Sequence, residues 1–236
     1  DLHARWAGYR PAEINLTAAT LLCFLPQLAI AALDAPTVVR AAMQETLAAG
    51  LLIMAAGQDC DLALAGTADP APETVEASVA GKSGEELAIF AALGAHLAGA
   101  SPRVVASCQQ LGRALATGGQ LASDCHDLFF AAWSRDLASG TRTLPIALHL
   151  GRLQGRERAI FLALLDQART DAAAQAQVRA RLREAGELRR CAFTVEVYCQ
   201  RAQRTLAEAG LLEPARSQLQ EMIAGISMCR RGAGER

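Results

Sequence analysis

Aromatic side chains make up only 4% of the 236 residues, and the β-branched residues that favour strands are also sparse. A sheet is not expected. There is no Lys/Arg-rich run, and 23 basic residues against 24 acidic ones leave a formal net charge of −1. That removes the basic stripe needed to release counterions from DNA or RNA, so nucleic acid is not an expected partner. Long apolar runs are missing too: residues 21–33 form the longest, broken by Pro26 and Gln27 and too short to cross a bilayer, so no transmembrane segment is expected. The opening residues Asp1, Leu2, His3, Ala4, Arg5 and Trp6 have neither the basic nor the apolar region of a secretory signal. The cysteines (23, 60, 108, 125, 191, 199 and 229) form no CxxC pair and no legible zinc site. Their odd number suits free thiols in a reducing cytoplasm.

What is present is a 52% hydrophobic composition carried mainly by Ala and Leu, both strong helix formers. The expected class is all-α. A chain of this length can bury roughly 70% of the surface its unfolded form exposes, and one domain over residues 1–236 is the expectation. Apolar periodicity and punctuation predict helices over residues 14–33, kinked at Pro26, and over 37–57, 73–99, 102–132 and 146–150. Pro36 suits a helix start, and acidic residues open the 73–99 segment, where they complement the macrodipole. Residues 66–72 and 139–145 read as loops. Beyond Gly151 the chain is richer in Arg, Gln and Glu, with amphipathic outer helices at about 157–166, 171–185, 191–209 and 213–226. No fixed period repeats, which favours a compact bundle over a solenoid.

Three segments could carry chemistry. In the 102–132 helix, Gly112, Ala116, Gln120, Asp124 and Asp127 share a face, so small residues lead to an amide and then two carboxylates. Two buried anions one turn apart require a joining cation, and hard oxygen ligands suit Mg²⁺ shared with substrate phosphates. The alternative is a helix that surfaces here and exposes both carboxylates to water. The second segment is Gly57-Gln58-Asp59-Cys60-Asp61-Leu62, where a helix either emerges with polar residues at a site or simply ends at a glycine. The third is Lys82-Ser83-Gly84: Lys82 is either a snorkelling surface residue or a point charge for a diphosphate. His126 reads as an outward-facing histidine or a tuner of the aspartate segment, and Cys125 as a small packing residue.

In this order the segments resemble the trans-prenyl diphosphate synthases, the polyprenyl synthetase family. Gly57-Gln58-x-x-Asp61-Leu62 resembles the family's GQxxDL, and Lys82-Ser83-Gly84 with Gly94 its K-T-G helix. Residues 112–127 resemble the second aspartate-rich motif, and residues 140–145 the GKxTLP loop. The resemblance implies an isoprenoid-synthase-type helical bundle around a central cavity. It also implies Mg²⁺-dependent prenyl transfer from an allylic prenyl diphosphate, with chain elongation by isopentenyl diphosphate, in a cytoplasmic homodimer. Asp124 and Asp127 would then be metal ligands. Gln120 and Gln58 would line the pocket, Asp61 would support that shell, Lys82 and Arg142 would contact diphosphate, and Ala116 and Gly112 would leave room for the isoprenoid tail.

Three departures qualify the resemblance. Ser123 stands where the first aspartate of the second motif is expected, and Thr141 where the lysine of GKxTLP is expected, with Arg142 beside it. No Asp-Asp pair occurs anywhere, so the first aspartate-rich motif is absent, and residues 1–8 resemble the segment that follows it. Either N-terminal helices carrying that motif precede this chain, which is the expectation we favour, or the chain is a naturally shortened homologue. Two other functions stay open: a non-catalytic member that binds a prenyl diphosphate or a catalytic partner, and a terpene cyclase or peptide-prenylating relative.

Overall fold

The structure is a computed structural model that describes residue 8 and residues 10–228; His3, Trp6 and the rest of the opening motif lie outside the described residues, as does Cys229. Among the described residues, eleven α-helices follow one another: α1 Pro11–Ala31, α2 Thr37–Leu64, α3 Pro72–Val79, α4 Glu85–Leu97, α5 Pro102–Phe130, α6 Arg135–Ser139, α7 Leu144–Leu150, α8 Gly155–Gln167, α9 Ala172–Glu184, α10 Glu187–Glu208 and α11 Ala215–Ile226. A π-helical turn, Ala80–Gly84, joins α3 to α4. No strand occurs among the described residues.

Two helices differ in kind from their sequence reading. The second does not stop at Gly57: α2 continues through Gln58, Asp59, Cys60 and Asp61 to Leu64, because Gly57 is a packing residue rather than a helix end. A Cβ on Gly57 would lie 2.7 Å from the Gly81 carbonyl carbon and 2.8 Å from the Lys82 nitrogen, so only glycine lets α2 run against the π turn. The segment read as a single helix over 73–99 is α3, the π turn and α4 in succession. The wider turn falls on Lys82, and π turns of this kind frequently mark functional sites. The short α6 lies mostly in residues 133–138, between the expected helix over 102–132 and the expected loop over 139–145.

The long α5 packs between α4 on one side and α10 on the other. On the α4 side, Gly112 brings the backbones together: a Cβ there would meet the Leu87 carbonyl oxygen at 2.6 Å. The space above Gly112 is thus filled by α4, and is no room for an isoprenoid tail. At the next residue of α5, Arg113 Nε donates a 2.8 Å hydrogen bond to buried Glu85 of α4. On the α10 side, Leu121, Cys125 and Leu128 interlock with Cys191, Val195 and Ala202, and Phe161, Val178 and Leu182 close the same core. A smaller cluster of Ile30, Met43, Leu47 and Ile89 joins α1, α2 and α4.

The first two helices bury little of themselves. Within α1, Leu16, Leu22, Phe24, Leu25 and Leu28 are exposed, and so are Val38, Leu52 and Ile53 of α2. By length and composition alone, Ile14–Ala31 and Thr37–Leu64 are long and apolar enough to cross a membrane. The sequence expectation weighed only the uninterrupted apolar run, whereas the helices themselves extend beyond it. Helix α1 runs on through Pro26 and Gln27, so a break in the apolar run is not a break in the helix.

Candidate functional site

Three helical elements lie side by side, and their polar residues meet at one end. Helix α2 contributes Asp61, the π turn Lys82 and Ser83, and α5 Gln120 and Asp124. The Lys82 ammonium donates to Asp61 Oδ2 at 2.6 Å, with both side chains about one-third exposed. Ser83 donates to Gln120 Oε1 at 3.2 Å, and Gln120 Nε2 donates to Asp124 Oδ1 at 2.7 Å. Lys82 is the only lysine in the sequence, and it stands here.

The aspartate segment does not simply surface. Ser123 and His126 are exposed, whereas Asp124 and Asp127 on the alternate face are turned inward. Burial pushes the Asp124 carboxyl up to about 7; the Gln120 hydrogen bond and the Lys82 charge pull against this, and the Asp136 and Asp61 charges add to it. Asp136 is pushed up to about 6, first by burial and then by the Asp127 charge. Asp136 escaped the sequence reading, although Ser134-x-Asp136 carries the signature of a serine N-cap with an acidic first turn. Ser134 caps α6 by accepting from the Leu137 N–H at 3.2 Å.

Asp127 has a different surrounding. Its Oδ2 accepts from the Ser134 hydroxyl at 2.6 Å and the Asp136 N–H at 3.2 Å, and its Oδ1 from the Arg135 N–H at 3.3 Å. Burial alone would raise this carboxyl, but those hydrogen bonds and the Arg135 charge outweigh it and hold Asp127 below the usual aspartate range. Asp127 therefore ties the end of α5 to the start of α6.

The remaining sequence-derived candidates are not gathered with these. Gln58 is on α2 one turn before Asp61 and is exposed. The Arg142 guanidinium donates to the Thr67 carbonyl at 2.8 Å and to the Gly140 carbonyl at 3.3 Å, pinning the 65–71 loop to the residues before α7. Thr141 pairs with the Ser139 hydroxyl at 2.7 Å. Exposed His126 stacks near Phe130, with ring centroids 5.8 Å apart, as a surface histidine would. Cys125 is fully buried with its Sγ facing that of Cys191. Among the described residues, no three Asp, Glu, His or Cys side chains converge closely enough to hold a metal by themselves.

An all-α bundle with this polar end defines the isoprenoid-synthase fold class, and comparison with solved structures agrees. A polyprenyl synthetase from Streptomyces coelicolor A3(2) superposes with a TM-score of 0.83 at 20% identity, covering 94% of this chain and 69% of its own. A decaprenyl diphosphate synthase from Rhodobacter capsulatus gives 0.70 at 18% identity, covering 78% of this chain and 58% of its own. A polyprenyl synthase from Caulobacter crescentus CB15, in complex with calcium and isoprenyl diphosphate, gives 0.70 at 22%, again covering 78% and 58%. This chain thus spans little more than half the length of the latter two. No curated protein matches it. The family profile described as Polyprenyl synthetase matches residues 13–182, and the chain belongs to that family.

Proposed function

We propose that this chain is a divergent class I isoprenoid enzyme that transfers a prenyl group from an allylic prenyl diphosphate, with elongation by isopentenyl diphosphate as the reaction. The observation that carries the reading is the meeting of Lys82, the only lysine, with Asp61 beside Gln120 and Asp124, all residues of the segments that resemble the polyprenyl synthetase family's motifs. Lys82 is the residue we assign to the diphosphate, as a point charge able to leave Asp61 for a phosphate oxygen. Gln120 and Asp61 orient that lysine and Asp124. Gln58 is assigned to the rim of the pocket, and Arg142 to holding the loop that flanks it and to a second diphosphate contact.

Mg²⁺ is the proposed cofactor, with Asp124 and Asp127 as its ligands from the motif and Asp136 as a further carboxylate beside them. The donor set fits. Asp124 and Asp136, raised by burial and by neighbouring carboxylate charge, gain from a shared cation, while Asp127 is already ionised and held in place by its hydrogen bonds; Mg²⁺ characteristically takes one or two carboxylates together with substrate phosphates. When bound, the ion would neutralise the charge that develops on departing diphosphate. The Caulobacter structure, which holds calcium and isoprenyl diphosphate, supports a divalent cation and a prenyl diphosphate as the ligand pair.

Titrating geranyl and farnesyl diphosphate calorimetrically into the intact gene product, with and without Mg²⁺, tests the reading. Tight binding only with Mg²⁺ is expected, followed by elongated product when isopentenyl diphosphate is added. Binding under neither condition would favour a non-catalytic family member that regulates a partner. That second reading draws on Ser123, which is exposed and uncharged, and on Thr141, engaged with Ser139 rather than with the site. Cyclisation of the bound prenyl diphosphate, or its transfer to a peptide, would be read from the product.

We further propose one domain acting as a cytoplasmic homodimer. The exposed apolar side chains of α1 and α2 offer a face that a second copy would cover, and the free thiols suit a reducing compartment. Light scattering is expected to give twice the chain mass at micromolar concentration; a monomer there would refute the dimer.

A further inference from the structure

Helix α9 belongs to the Arg- and Gln-rich outer part of the bundle, yet its Gln175 is 1% exposed. The buried amide is saturated. Its Oε1 accepts from the Ser134 N–H at 2.9 Å and from Arg179 at 3.2 Å. Its Nε2 donates to the Ser134 carbonyl at 3.1 Å and to the Ala168 carbonyl at 3.1 Å. Both acceptor sites and both N–H groups are therefore used, the full capacity of a glutamine. Two of those bonds grip the N–H and the C=O of a single residue, Ser134.

Ser134 is the hinge of the aspartate loop. Its hydroxyl donates to Asp127 Oδ2 and accepts from the Leu137 N–H, while the N–H groups of the next two residues, Arg135 and Asp136, go to Asp127. Arg179, one turn after Gln175, donates from Nε to the Leu128 carbonyl at 2.8 Å and so ties down the end of α5 as well. A chain of hydrogen bonds thus runs from α9 through Ser134 to Asp127 and to the backbone that carries Asp136 beside Asp124.

We propose that Gln175 is a positioning residue for the carboxylate site: by clamping Ser134 it sets where Asp136 stands relative to Asp124. An irregular loop has few ways to be held rigid, and a buried amide bonded to a peptide N–H and C=O supplies the pairing that a neighbouring strand would otherwise give. Outer-shell hydrogen bonds of this kind typically change metal affinity 10–100-fold when removed. The inference rests on the reading of Asp124 and its neighbours as a metal–diphosphate site.

The test uses the intact chain as wild type, Gln175→Met, which keeps the volume but loses the clamp, and Ser134→Ala, which keeps the clamp but breaks its link to Asp127. Two readouts are taken: calorimetric binding of Mg²⁺ with inorganic pyrophosphate, and hydrogen exchange of the amides of residues 135–137 without ligand. Both variants are expected to bind at least tenfold more weakly and to exchange those amides at least tenfold faster, with the amides of α10 unchanged. Wild-type affinity and exchange in Gln175→Met would overturn the proposal, and if that variant does not fold, Ser134→Ala decides by the same criteria. Silence of the wild type towards Mg²⁺–pyrophosphate, with faster exchange in the variants, would defeat the metal–diphosphate reading while upholding the clamp.

Discussion

Asp124→Asn is expected to make the protein more stable at pH 8 while removing its Mg²⁺-dependent diphosphate binding. The stability effect follows from the proton. Burial raises the Asp124 carboxyl from 3.8 to about 7 in the folded chain, so between these values the folded state holds a proton that the unfolded state has released. Stability therefore falls as pH rises through that window, and above it the native protein carries the whole penalty of an ionised buried carboxylate. At about 1.36 kcal/mol per pH unit over this window, the penalty relieved by the neutral amide is on the order of 4 kcal/mol, or ~8–16 °C in Tm for a chain of this size. Asparagine can still accept the Gln120 hydrogen bond, so packing is preserved. Melting curves from pH 4 to 8 should show the advantage of the variant vanishing near pH 4. Added Mg²⁺ and pyrophosphate should raise Tm only in the wild type. A pH-independent difference, or an equal response of both proteins to ligand, would contradict the assignment.

Gly57→Ala should act in the opposite direction. Its new Cβ would press on the backbone at Gly81 and Lys82, which cannot swing aside as a flexible side chain would. Overpacking of this kind costs about 1–3 kcal/mol, and with α2 forced away from the π turn we expect about 2 kcal/mol net, even after the gain in helix propensity. The displacement should also separate Lys82 from Asp61. Because the chain has a single lysine, ¹⁵N-lysine labelling yields one side-chain ammonium signal, which in the wild type should be slowed and shifted by its carboxylate partner. Gly119→Ala is the control, since its Cβ would meet Ile226 at an ordinary 3.6 Å; it should stabilise the helix by ~0.5–1 kcal/mol. Equal stability of the two variants would mean that the close approach at Gly57 is not required.

Legibility differed sharply between parts of the molecule. Helices whose apolar stripe follows their own periodicity were readable to within a few residues, as for α5, α9 and α10. The end of α2 was not, because Gly57 looks the same locally whether it caps a helix or admits a neighbour; only the facing Gly81 and Lys82 distinguish the two. That Asp124, Gln120, Lys82 and Asp61 belong to one group was legible from motif order, and the hydrogen bonds among them are what the fold adds. Asp136 was missed, because its place beside Asp124 depends on a turn held by Asp127 and Ser134.

Composition and periodicity by themselves determined an all-α chain and most of its helices, since helix formation is governed by interactions within a few residues of one another, and the resemblance to a known family picked out the motif-bearing residues. Tertiary structure decided which polar groups meet and in what electrical state. The sequence contains Asp124, Asp127 and Asp136 as three equivalent carboxylates. Packing divides them, raising Asp124 and Asp136 by burial and lowering Asp127 through donated hydrogen bonds. The physical reason is that desolvation, hydrogen bonding and neighbouring charge act over a few ångströms in space, and the groups that supply them here lie on α2, the π turn, α5 and the start of α6, brought together only by the fold.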